Sequence, residues 1–146
     1  MFGLTSVLSA IETSALADLV GGPVYPFISA LHILAISFLI APVILADLRI
    51  LRVKEVDGFA KSLLRIALIG FGAAVATGIL LFSVQATRYA ENPAVMIKFF
   101  LLALAGANAA LFAALKRVRL VSAALSIGLW CAVLLAGRWI AFADSL

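Results

Sequence analysis

The chain has 146 residues, of which 66% are apolar and only 12% charged, with a net charge of +4 and a mean hydropathy of +1.24. Soluble domains hold about 45–50% apolar and about 25% charged residues, so a soluble globular protein is excluded; an integral membrane protein is indicated, with room for four spans of roughly 20 residues each. In such a chain a basic excess reads as orientation rather than nucleic-acid binding, while the single cysteine, Cys131, rules out an internal disulfide and reads as a buried structural thiol.

Residues 1–48 contain no Lys or Arg, so a cleavable secretory signal with a positive leading region is not expected. Over residues 4–20, Leu4, Leu8, Ile11, Ala15 and Leu19 recur at helical spacing, with Ser9, Glu12, Thr13 and Asp18 mostly opposite. The pattern predicts one amphipathic interfacial helix, acidic on its polar face and so not held by anionic lipid, which lies at the outer interface or over the mouth of the bundle. Gly21-Gly22-Pro23 ends it.

Spans are predicted at about 24–48, 62–84, 94–115 and 120–142. Tyr25 suits the interfacial end of the first, and Pro42 is expected to kink it. The second span is followed by a polar turn, Gln85 to Pro93, whose Asn92-Pro93 pair can open the third helix. Arg49, Arg52, Lys54, Lys61 and Arg65 surround the first connection, Lys116, Arg117 and Arg119 mark the third, and Arg88 stands alone in the second. By the positive-inside rule, connections one and three face the cytoplasm and both termini face outward. Gly70/Ala74/Gly78, Gly106/Ala110/Ala114 and Ala124/Gly128/Ala132/Ala136 repeat small residues every four positions, a pattern that lets helix backbones approach closely. The expectation is an all-α, four-transmembrane-helix up-down bundle with an N-terminal amphipathic helix, forming a single membrane domain over residues 1–146.

Ionisable groups inside a span are costly unless they lie near an end and reach the interface. Arg49, Arg52 and Arg65 are near enough to do so, and Asp47 is expected to pair with Arg65 or Arg119. The outward half collects a different set. His32, the only histidine, lies eight residues after Val24, roughly 12 Å along its helix. Lys98 and Met96 open the third span, Arg138 and Trp139 approach the end of the fourth, and Gln85, Arg88 and Tyr89 close the second. Three cations and one imidazole suit an anionic, partly apolar ligand such as haem or another tetrapyrrole, with His32 as iron ligand, Met96 as its partner, and Lys98, Arg138, Arg88 and Gln85 around the carboxylates. The same residues admit a plainer reading, in which His32 is hydrogen-bonded to a serine or carbonyl of a neighbouring helix and the cations reach the interface. Asn108 reads as polar glue between helices and Trp130 as packing. No complete catalytic or metal-binding motif is present, so an enzyme is not indicated.

Five segments carry a resemblance: Ala30-Leu-His-Ile-Leu34, Ala46-Asp-Leu-Arg-Ile-Leu51, Ala76-Thr-Gly-Ile-Leu-Leu-Phe82, Asn92-Pro-Ala-Val-Met-Ile-Lys98 and Gly137-Arg-Trp-Ile-Ala141. Across nearly its whole length the chain looks like a family of small bacterial four-helix membrane proteins with no assigned activity (a domain of unknown function), which implies the inner (cytoplasmic) membrane. More distantly it is similar to HemJ-type protoporphyrinogen oxidases and copper-resistance D proteins. In the HemJ type an Ala-Leu-His first helix and a lysine early in the third belong to the functional set, and His32 and Lys98 match these places. That resemblance implies tetrapyrrole handling. The further HemJ histidines are absent, and Val95-Met96-Ile97 stands where its tryptophan precedes the lysine.

The preferred functional reading is therefore a haem- or tetrapyrrole-binding membrane protein. Two others stay open: a non-catalytic accessory subunit or assembly factor of a larger membrane complex, and a small anion or proton transporter subunit. Expected partners are the lipid bilayer and either a membrane protein or further copies of the chain, docked through the small-residue faces; no nucleic acid is expected.

Overall fold

The computed structural model describes residues 2–143. Among these there is no strand, and the fold is all-α. The elements are α1 (Phe2–Glu12), α2 (Ala15–Gly21), α3 (Tyr25–Val53), α4 (Gly58–Val84), α5 (Ala86–Glu91), α6 (Pro93–Ala114), a 3₁₀ turn (Lys116–Val118) and α7 (Arg119–Ala143). The four long helices α3, α4, α6 and α7 are long and apolar enough to cross a membrane. This is the makeup of a multi-pass membrane protein. Two compact units are distinguishable: residues 1–39 with 69–91, and residues 40–68 with 92–146. Both α3 and α4 contribute residues to each.

In the first unit the predicted amphipathic helix is two helices. Ser14 breaks it: its hydroxyl donates to the Ile11 carbonyl at 2.7 Å and accepts from the Ala17 amide at 3.2 Å, capping α2. The interruption resets the helical phase. Ala17 and Val20 are the residues α2 buries, whereas Leu19 is exposed; only the backbone of Leu4 is described. The stretch read as a polar turn after α4 is largely helical, as α5, and α1 is tied to it. Glu12 accepts from the Thr87 amide at 2.8 Å and from its hydroxyl at 2.9 Å.

The α3 and α4 segments of this unit run antiparallel with a close backbone contact at Gly70. A Cβ there would stand 2.5 Å from the Phe38 carbonyl carbon and 2.6 Å from the Leu39 nitrogen. Phe38 is also four residues before Pro42, whose missing N–H leaves the Phe38 carbonyl without its helical donor. The α4 stripe Gly70/Ala74/Gly78 is used as the sequence predicts: Gly70 meets α3 backbone, Ala74 is buried, and Gly78 meets the His32 ring.

In the second unit Ala46 and Ile50 of α3, Ala60 of α4 and Ala123 of α7 form a core, with Leu51, Leu63, Leu64 and Phe112 packed on it. α3 runs five residues past the predicted boundary and closes at Lys54, whose positive φ of 60° ends the helix while its amide still reaches Ile50 O at 2.7 Å. Asp57 then caps α4, accepting from the Ala60 amide at 2.9 Å and from Arg49 Nε at 2.9 Å. Asn92 caps α6 through its side chain, with Pro93 at the first helical position as expected.

α6 and α7 form an antiparallel hairpin joined by Asn108 and Ser122. Asn108 Nδ2 donates to the Ser122 carbonyl at 2.9 Å, and the Ser122 hydroxyl is 2.9 Å from Asn108 Oδ1. Asn108 is thus the glue the sequence suggests, and Trp130 is buried in packing. Three expectations fail here. Gly106, Ala110 and Ala114 of α6, with Ala124 and Gly128 of α7, are exposed, whereas Ala132 is half-buried and Ala136 buried, so these small-residue stripes are covered only at the later half of α7 and the α6–α7 contact otherwise follows the Asn108–Ser122 pair. Cys131 is exposed, not buried, since it follows Trp130 by one residue and so points about 100° away from it. Asp47 pairs with neither arginine: Arg65 is exposed, and Arg119 Nε donates to Phe112 O at 3.3 Å over the Phe112 ring.

Candidate functional site

His32 is half-buried on α3, in the first unit. Its Nδ1 lies 2.8 Å from Thr77 Oγ1 on α4, and that oxygen lies 2.7 Å from the Ala73 carbonyl, one turn back on the same helix. A threonine hydroxyl has one hydrogen, and a carbonyl only accepts. The hydroxyl therefore donates to Ala73 and accepts from His32 Nδ1–H, which leaves the lone pair of the neutral imidazole on Nε2. Gly78 completes the setting: a Cβ there would lie 3.2 Å from His32 Cε1 and 4.0 Å from Nε2. Here the sequence permitted a serine or carbonyl partner for His32; a threonine fills that place.

Gln85 and Arg88 belong to the same unit and meet each other, with Arg88 Nη1 donating to Gln85 Oε1 at 3.2 Å. Gln85 lies in the turn after α4 and Arg88 on α5, beyond the α4 turn that carries Thr77. Tyr89 stacks on Phe82, ring centroids 6.0 Å apart. On the other side of α4, Val7, Ile11 and Leu16 of the two N-terminal helices face Ile79, Phe82 and Ser83 across an apolar groove of about 650 Å³.

No family model, curated protein or solved structure matches the chain. Its chemistry has to be read from its own residues.

Lys98, Met96 and Arg138 belong to the second unit. Lys98 is half-buried and lays its stem along Gly137 of α7, its Nζ 3.7 Å from where a Cβ on that glycine would stand. This brings Lys98 to the α7 segment that carries Arg138. Met96 goes elsewhere. Two residues from Lys98, it projects from the opposite side of α6 and is 65% exposed, alongside Ile97, Phe99 and Phe100. Among the described residues no group of three or more His, Cys, Asp or Glu side chains is placed to hold a metal ion.

Neither Thr77 nor Gly78 is among the site residues expected from the sequence, although Gly78 is part of the α4 small-residue stripe. A Thr-Gly pair in the middle of an apolar span was a usable signal, because a hydroxyl at that depth needs a partner and a glycine there makes room for one. The Glu12 to Thr87 clasp gave no such signal, as the two residues are 75 positions apart.

Proposed function

We propose that this multi-pass membrane protein binds haem or another tetrapyrrole through His32, in the outward half of a bundle that has both termini outside the cytoplasmic membrane. The observation that supports it is the chain His32 Nδ1, Thr77 Oγ1, Ala73 O. It anchors the ring through Nδ1, and Nε2 would be the nitrogen offered to iron, the arrangement in which iron-binding histidines are held. Gly78, having no side chain, lets the His32 ring pack against α4 at this point. Arg88, which belongs to the same unit as His32, is the residue that would meet a propionate. Met96 is left out of the ligand set, since it projects from α6 away from Lys98. When bound, the haem would supply a redox-active iron; what the chain itself supplies is a fixed imidazole and a cationic group. The resemblance of Ala30-Leu-His32 and Lys98 to the HemJ pattern points the same way.

The test is the visible spectrum of the protein purified in mild detergent, before and after titration with haem. A Soret band that is lost in His32→Ala is the expected result. No band after haem addition, or a band indifferent to His32→Ala, overturns the reading.

A second reading, an accessory subunit or assembly factor, is favoured by the exposed small residues Gly106, Ala110 and Gly128 on α6 and α7, a surface suited to close contact with another membrane helix. Co-purification of a partner membrane protein after gentle solubilisation supports it, and a homogeneous species containing this chain alone counts against it.

A further inference from the structure

The second unit holds a carboxyl group that the haem reading does not use. Asp47 sits on α3 six residues before its end at Val53, about 9 Å inside by helical rise, and is only 4% exposed. Among the described residues its Oδ2 is the one buried side-chain oxygen or nitrogen with no hydrogen-bond partner. The buried Ser126 hydroxyl of α7 lies beside this carboxyl. Other polar groups of this unit are paired: Asn108 and Ser122 bond each other reciprocally, and Asp57 holds both the Ala60 amide and Arg49.

We propose that the Asp47 carboxylate, with the Ser126 hydroxyl beside it, is a binding site for one small monovalent cation, a proton or a sodium ion. A buried carboxylate is retained only when something compensates its charge. Protein cations do not do so. Arg49 and Arg52 share α3 with it, but Arg49 is paired with Asp57 and Arg52 is exposed. On α4, Lys61 and Arg65 are exposed; on α7, Arg119 is engaged with Phe112, and Arg138 lies more than three turns beyond Ser126. α6 carries one charged residue, Lys98, at its opposite end. The remaining compensation is a cation from outside the chain.

The oxygens present set its class. One carboxylate matches a single positive charge and would leave a divalent ion uncompensated, and no multi-carboxylate or His/Cys group is available among the described residues. A serine hydroxyl offers lone pairs to a hard cation while its hydrogen serves another acceptor. Ser126 and Ser122 are one turn apart on α7, so both hydroxyls belong to the same buried face. This site does not depend on haem binding, and either proposal can fail alone.

The test is labelling of the purified full chain with dicyclohexylcarbodiimide, an apolar reagent that attacks protonated carboxyls in apolar surroundings, followed by peptide mapping by mass spectrometry. The expected adduct is on Asp47, strong at acid pH and absent in Asp47→Asn. At fixed pH and ionic strength, suppression by sodium chloride but not choline chloride identifies sodium as the occupant. Suppression by alkaline pH alone identifies the proton. Ser126→Ala is expected to shift the half-protecting sodium concentration or pH several-fold. Mapping the adduct on the unaltered chain keeps the test decisive if Asp47→Asn does not fold. Absence of an Asp47 adduct at every pH, or an adduct indifferent to both pH and sodium, overturns the proposal.

Discussion

His32 Nδ1 and Thr77 Oγ1 lie 2.8 Å apart, across two helices and 45 residues of sequence. This bond selects a tautomer as well as joining α3 to α4. Thr77→Val keeps the shape and removes the acceptor, and its expected cost is about 0.6–1.7 kcal/mol, the range for hydrogen bonds between membrane helices. The sharper readout is the ring itself. Nitrogen NMR of labelled histidine should show Nδ1 protonated in the native chain and a mixture of tautomers in Thr77→Val; an unchanged spectrum would mean that Thr77 does not set the tautomer.

Gly70 is the position of closest backbone approach between these helices. A methyl group placed 2.5 Å from the Phe38 carbonyl carbon meets backbone, which cannot rotate away as a side chain can. Gly70→Ala is expected to destabilise by roughly 1–3 kcal/mol, the usual cost of overpacking, and Gly70→Leu by more. Gly72, one turn-face away with nothing within 4 Å, is the control. Thermal unfolding in detergent of Gly70→Ala and Gly72→Ala should separate them clearly, and equal midpoints would refute the close contact.

What the sequence made legible follows from which signals are long and which are local. Four apolar runs of span length place α3, α4, α6 and α7 to within a few residues, and Asn92-Pro93 marks the start of α6, because burial of backbone in lipid leaves few alternatives. The faces of those helices were harder to read. Small residues on α4 do mark its contact with α3, yet on α6 and α7 the contact follows Asn108 and Ser122 instead, since buried polar groups have to be satisfied and small residues merely permit approach. Asp47, expected to face an arginine, is found beside the Ser126 hydroxyl with its Oδ2 left without a partner. For His32, the sequence offers depth alone as a signal, while Thr77 and Gly78, which contact the ring, become visible only when α3 and α4 are side by side.

The clasp between Glu12 and Thr87 holds α1 on α5 with two hydrogen bonds to one carboxylate. α1 is short, exposed along much of its length, and otherwise held by few buried residues, so this anchor should dominate its order. Glu12→Ala is expected to raise amide exchange over residues 3–12 several-fold while leaving α3 and α4 protected. Thr87→Val removes only the hydroxyl bond and should give a smaller effect in the same residues. Equal exchange in all three proteins would show that apolar contacts alone hold the helix.

Asp57 carries the pH dependence outside the spans. Donation from the Ala60 amide, and then from Arg49, holds its carboxyl below the ordinary aspartate range. A group lowered in the folded state contributes stability that is fully present above its unfolded pKa and is lost as the pH falls through the folded value. The first turn of α4 should therefore keep its order at neutral pH and loosen only in acid, below the range where free aspartates titrate. Solvent screening keeps the Arg49 pair itself weak, so the cap rather than the ion pair should set the effect. Exchange protection at residues 59–61, corrected for the intrinsic rate, provides the measurement. Asp57→Asn retains a capping oxygen without a titrating charge and should flatten the acid dependence, whereas Asp57→Ala should lower protection at every pH; acid loosening that persists unchanged in Asp57→Asn would assign the effect to another group.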